Sequence, residues 1–247
     1  MRSNIIVPLN LGTIKDSEKS FLTARKDPGV KIDFVCIMWA IRCGKKTIIV
    51  DTGPSDPEWS ITHHDRKLIR KPQETVEGAL SFIDVTPDQI ETVINTHLHW
   101  DHCYNNGKFK NAIFIVQREE LRYAASPLPI DFRVYEMNTN TPTISRVLGR
   151  CKAVEGDCDL GNGIRLILTP GHSPGSQSVA VETEKGVYVI AGDAVSLYEN
   201  WESNPRIPPA ICCDLEAQYR SFEKIARIGQ FVLPGHDPKV FDHPSYP

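Results

Sequence analysis

Apolar positions along the chain fall into short runs separated by polar stretches, and the runs predict strands more often than helices. Residues 5–11 predict a first strand, and the polar residues 12–30, with Asp27-Pro28-Gly29 as a turn signal, predict a loop. Residues 31–41 and 46–51 predict two strands of a hairpin turned at Cys43-Gly44-Lys45. Residues 54–73 are polar and predict a long loop holding His63 and His64; no carboxylate or cysteine stands at a ligand spacing from either, so both read as solvated. A helix is predicted over 74–83. Thr86-Pro87-Asp88-Gln89 combines a Thr cap, a first-turn Pro and a Gln, and predicts a short helix feeding the apolar run Thr92-Val93-Ile94. A strand is predicted over 112–117 and a short helix over Arg118 to Ala124. Residues 125–145 change character: they hold Pro127, Pro129 and Pro142 with Phe132, Tyr135 and Met137, and predict a lid or substrate wall, or a plain connection. Strands follow over 164–169, 178–183 and 186–191. Leu215, Tyr219, Phe222, Ile225 and Ile228 recur every three or four residues, predicting an amphipathic helix from Asp214 to Gly229. Phe231-Val232-Leu233 predicts a last short strand.

Composition narrows the classes. The chain has 247 residues, 40% hydrophobic and 24% charged, as a soluble globular protein has. A net charge of −3 and a pI near 6.2 disfavour a nucleic-acid partner. The longest apolar run, Phe34 to Ile41, is far below the roughly twenty residues of a membrane span. Met1 to Pro8 lacks the apolar core of a secretory signal. The cysteines, Cys36, Cys43, Cys103, Cys151, Cys158, Cys212 and Cys213, are odd in number and scattered, which predicts reduced thiols and a cytoplasmic location. Cys103 reads as a buried packing residue beside the ligand cluster.

The chemistry concentrates in Asn95-Thr96-His97-Leu98-His99-Trp100-Asp101-His102, just after the predicted strand at 92–94. Imidazole and carboxylate are ligands for zinc and similar divalent ions. In an extended segment His97, His99 and Asp101 point the same way, and His102 leaves in another direction that suits a second ion.

This H-x-H-x-D-H pattern resembles the metallo-β-lactamase superfamily, and further signposts of that family are present in order. They are Ile48-Ile49-Val50-Asp51-Thr52-Gly53, Thr169-Pro170-Gly171-His172-Ser173-Pro174-Gly175, Ala191-Gly192-Asp193-Ala194 and Leu233-Pro234-Gly235-His236-Asp237. The resemblance spans about residues 32–241 and is strongest to the N-acyl-homoserine lactonase and 4-pyridoxolactonase branch. It implies an α/β fold, a four-layer αββα sandwich, in a single domain over residues 1–247. It implies two divalent ions, zinc first, with iron, cobalt or manganese as alternatives. His97, His99 and His172 would bind one ion, Asp101, His102 and His236 the other, and Asp193 both. Asp51 would support a ligand histidine without touching metal. A hydroxide between the ions would attack a lactone, with Asp101 returning the proton to the leaving oxygen.

One departure from the branch stands out. Its pocket tyrosine lies three residues beyond the bridging aspartate, where this chain has Ser196. Tyr198 is the candidate to fill that role, with Ser196 or Trp201 lining the pocket instead. Thioester and other ester hydrolysis uses the same attack, so the ligands do not separate those substrates from lactones. A mononuclear-iron persulfide dioxygenase shares the motif but needs one ion. A nuclease is disfavoured by the acidic balance, and a dead binding protein by the intact ligand set. The expected partner is a small ester or lactone; oligomeric state is left open.

Overall fold

Buried backbone amides need partners, and two sheets supply them. The computed structural model describes residues 3–247; Met1 and Arg2, where the stretch without a signal core begins, lie outside that range. In chain order the elements are β1 (Ile5–Glu18), β2 (Lys31–Cys43), β3 (Lys46–Val50), α1 (Pro57–His64), β4 (Lys67–Ile69), α2 (Val76–Ser81), β5 (Thr92–Ile94), α3 (Trp100–Cys103), β6 (Ile113–Gln117), α4 (Arg118–Ala125), β7 (Cys151–Val154), β8 (Cys158–Gly161), β9 (Ile164–Leu168), β10 (Gln177–Thr183), β11 (Gly186–Ile190), α5 (Tyr198–Glu202), α6 (Leu215–Ile228) and β12 (Phe231–Leu233). One sheet runs β4-β1-β2-β3-β5-β6-β7 and the other β12-β11-β10-β9-β8.

Side-chain alternation produces the layers. Along β2, Trp39 and Ile41 enter the core between the sheets, where they meet Val179, Val181, Ile190 and Leu233. Met38 and Ala40 face the other way and pack with Val76, Ala79 and Leu80 around α2. The second sheet turns Ala180, Val189 and Val232 outward onto Phe222 and Ile225 of α6. Helices therefore cover both outer faces of a sheet pair, the expected αββα sandwich. Among the described residues no helix is long and apolar enough to cross a membrane, and all seven cysteines are free thiols.

Strand direction gathers the loops. β3, β5 and β6 are mutually parallel, so the loops after them leave one edge of the first sheet. β11 and β12 are parallel, and β9 runs with them because each is antiparallel to β10 or parallel to β11. Ligand sites form at such carboxyl ends, where crossovers open a crevice.

Several expectations are corrected. β1 does not stop at Leu11; it runs to Glu18, carried past its polar residues by irregularities after Asn10 and Ile14 while β2 keeps the pairing. Residues 54–73 are not a loop: they contain α1, capped by Asp56 accepting from Trp59 N at 2.9 Å, and β4. His64 is buried, stacked 3.9 Å from the Trp100 ring centre, with Nε2 3.1 Å from Glu136 Oε1. Its carboxylate partner is distant in sequence, so local spacing could not show it. β7 and β8 give no strand signal in the sequence because each is only four residues long, too short for a periodic pattern.

Glu120 of α4 ties three segments together. It is fully buried; Oε1 accepts from Leu98 N at 2.8 Å and from the Tyr135 hydroxyl at 2.8 Å, and Oε2 accepts from Ser173 Oγ at 2.6 Å. Burial pushes its carboxyl upward while the three donors oppose that. Gly175 permits the approach, since a Cβ there would lie 2.0 Å from Glu120 N. Glu120→Ala strands buried donors and should cost roughly 3–5 kcal/mol of stability. Glu120→Gln still accepts from Leu98 and Tyr135 and should cost about 1 kcal/mol. Urea unfolding measures both, and equal losses would assign the effect to the carboxylate charge and not to the accepted hydrogen bonds that Gln retains.

Candidate metal centre

The loops at the two sheet edges bring the sequence-predicted ligands together. His97 and His99 follow β5, Asp101 and His102 lie on α3, His172 follows β9, Asp193 follows β11 and His236 follows β12. His172 Nε2 lies 3.2 Å from His97 Nε2 and 3.0 Å from His99 Nδ1. Asp193 Oδ1 lies 3.1 Å from His102 Nε2 and 3.0 Å from His236 Nε2, and its Oδ2 lies 3.5 Å from His172 Nε2. Asp101 Oδ2 stands 3.9 Å from the Nε2 atoms of both His102 and His236.

Outer hydrogen bonds set the tautomers. His102 Nδ1 donates to Asp51 Oδ2 at 2.8 Å, His172 Nδ1 to Ile211 O at 2.8 Å, and His236 Nδ1 to Val35 O at 2.8 Å. Thr96 Oγ1 gives its proton to Asp51 Oδ2 at 2.7 Å, so it accepts from His97 Nδ1 at 3.0 Å. Asp51 also accepts from Thr96 N at 2.8 Å. In their neutral forms, His97, His102, His172 and His236 thus turn bare nitrogen lone pairs inward. His97 and His172 then face each other acceptor to acceptor, and two imidazoles face one carboxylate oxygen. His102 Nε2 and Asp193 Oδ1 are buried without a hydrogen-bond partner.

Only positive charge between these atoms relieves the contacts. Burial, and then neighbouring imidazoles, drive His97 and His99 far below the ordinary imidazole range, so protons do not supply it there. Burial acts the same way on His102 and His236, but Asp193 together with Asp101 and Asp51 at His102, and with Cys36 at His236, lifts both well above that range. Burial would raise Asp193; His236, His102 and His172 hold it well below the usual carboxylate range. A nitrogen and carboxylate donor set with this demand for cations fits zinc-like divalent ions.

Two sequence readings change. His97, His99 and Asp101 do not share one direction. α3 begins at Trp100, so Asp101 turns away toward His236, where Cys36 joins them with donor atoms all within 4.8 Å. Cys36 carried no signal in the sequence beyond its place in an apolar run. Cys103 packs in the core under the first sheet, as its reading held. Tyr198 is not brought to the centre. It opens α5, which Asn200 Oδ1 caps by accepting from Leu197 N at 2.7 Å, and its ring packs by the inter-sheet core. Tyr198 and Trp201 line a separate depression with Tyr246. Ser196 does line the cleft above the ligands, and its buried Oγ has no partner. Asp101, His99, His172, Asp193 and His236 form the floor of that cleft, and Val134 stands in its wall.

Known proteins resemble this chain in sequence and fold to different degrees. An N-acyl homoserine lactonase of Bacillus cereus is 28% identical over 235 residues, covering 89% of this chain and 88% of its own. A probable metallo-hydrolase of Methanocaldococcus jannaschii is 32% identical over 194 residues, covering 78% of this chain and 72% of its own. The crystal structure of a mutant of the Bacillus thuringiensis lactonase AiiA, with N-decanoyl-L-homoserine bound at its active site, superposes with a TM-score of 0.78 at 25% identity, covering 98% of this chain and 96% of that one. Residues 33–246 match the metallo-beta-lactamase superfamily, and with the sandwich and the ligand loops in place the chain belongs to that superfamily.

Proposed function

We propose that the chain is a metal-dependent ester hydrolase that opens a lactone with two divalent ions, most suitably zinc. His97, His99 and His172 would hold one ion, Asp101, His102 and His236 the second, and Asp193 both. The observation that carries this reading is the inward convergence of bare imidazole nitrogens on each other and on Asp193, with their outer N–H groups already spent. Relatives named as lactonases support the ester class. Divalent ions in such a set polarise an ester carbonyl and make water a nucleophile near neutral pH.

The chain's own groups do the rest. Water oxygen bonds to the lactone carbonyl carbon, and the ring C–O bond breaks to give a hydroxy acid. Asp101, which lines the cleft, accepts the proton of the attacking water and returns it to the departing alkoxide. Ser196 Oγ, free of other partners, donates to the carbonyl oxygen in the place that the family gives to a tyrosine. Asp51 orients His102 and, through Thr96, His97. Residues 125–145 serve as a substrate wall: Val134 lines the cleft, and Tyr135 stands edge-on to His99 with ring centres 4.8 Å apart.

His97→Ala and His236→Ala should each remove about one ion per chain and lower turnover at least 100-fold. Metal analysis beside acid release from a panel of lactones, esters and thioesters checks this; full turnover by either variant after chelation would end the reading. Ser196→Ala should lower kcat by about 100-fold with metal content unchanged, since a carbonyl donor acts mainly in the transition state. Tyr198→Phe should leave kcat as it is, and a loss there equal to that of Ser196→Ala would restore Tyr198 to the carbonyl.

A further inference from the structure

The cleft above the ligands holds a guanidinium on which Asp101 and Asp65 act only from beyond ion-pair distance. Arg66 lines the same cleft as Asp101 and His236, and is the one arginine or lysine among the lining residues. Among the described residues its guanidinium has no acidic partner and no hydrogen-bond acceptor; its Cζ lies over the Phe21 ring, 5.0 Å from the ring centre. Arg70 and Arg150 show the usual solution for a half-buried arginine. Arg70 donates to Leu11 O and Pro54 O, and Arg150 to Phe109 O and Ala112 O. Burial, and then Arg133, pull Arg66 below its ordinary range, so its charge is held at a cost.

A second unpartnered group lies beside it. Ser17 is buried, lines the cleft, and its Oγ makes no hydrogen bond. The two are neighbours by register. Lys15 of β1 pairs with Lys67 of β4, so Arg66, just before β4, meets the chain where β1 passes on to Ser17. Asp16, opposite Arg66 where that register continues, pairs with Lys67 at 3.5 Å. The rest of this end is apolar and partly aromatic, with Phe21, Leu22 and Phe34.

We propose that Arg66 and Ser17 form an anion subsite, and that the substrate is a lactone carrying a carboxylate in addition to its ester. The inference rests on the lactonase reading for the reaction but not for the binding. A guanidinium presents a planar fork matched to a carboxylate. One cation and one hydroxyl suit a monoanion, whereas a phosphate dianion would call for more positive charge than the cleft wall holds. The carboxylate would sit at the Arg66 end while the ester lies over the ligand floor, and the aromatic wall would take the body between.

The test uses a phthalide carboxylic acid and its methyl ester with the metal-loaded protein. Calorimetry should show the unmodified chain binding the acid roughly 10- to 100-fold more tightly than the ester, as charged hydrogen bonds do. Arg66→Met should abolish that preference, Arg66→Lys should keep part of it, and Ser17→Ala should weaken it. In turnover, Arg66→Met should raise KM for the acid with kcat, metal content and activity on the methyl ester unchanged, because binding lost equally from ground and transition states appears in KM. Equal binding of acid and ester by the unmodified chain would overturn the subsite. So would equal loss on both compounds in Arg66→Met, which would place Arg66 on the ester itself or in the fold. Preferential binding of the acid without turnover of either compound would keep the subsite and reject the lactonase reaction instead.

Discussion

The structure depends on where the outer nitrogens of the ligand histidines spend their protons. Asp51, Thr96 and the carbonyls of Val35 and Ile211 each take one N–H, and this turns the other nitrogen inward as a lone pair. Four inward lone pairs and two carboxylates in a buried space form an arrangement that repels itself unless cations fill it. The apolar sandwich on either side must therefore be rigid enough to hold groups together that would otherwise separate. Its two cores do this, because close-packed interiors transmit strain without yielding.

The supports of the centre come from both sheets, which makes folding and site formation one event. Val35 on β2 orients His236 from the far side of the sandwich. Glu120 joins the loop after β5 to the loop after β9. Gln177 accepts a bond from Gln117 at 3.0 Å and donates to Asn95 O at 2.8 Å, stitching the sheets just beneath the ligands. A sheet that slipped against its partner would lose these bonds together, so the geometry needed for metal binding is also a check on correct packing.

Above that fixed floor stand the side chains that a substrate would meet. A serine stands where the lactonase branch has its pocket tyrosine, and Arg66 and Ser17 add polar groups at the far end of the cleft. Buried polar groups without partners are rare in folded proteins, and Ser17, Ser196, His102 and Asp193 bring four of them to the cleft and its floor.

The sequence by itself showed the histidine and aspartate motifs and most of the strands along the chain, and the sandwich followed from the family resemblance those motifs carry. Motif spacing is local, and apolar runs mark strands whatever their partners. It also exposed Asp51, because the aspartate closes a recognisable strand end. Only the tertiary structure decided which carboxylate each histidine meets, since Glu136 reaches His64, Glu120 reaches Leu98 and Asp51 reaches His102 across long sequence separations. It turned Tyr198 away and left Ser196 in the cleft, because a helix cap, invisible as such in the local pattern, sets the direction of the first residue of α5. It also revealed Arg66 as a cation without a partner, a property that belongs to what surrounds a residue and not to its place in the chain.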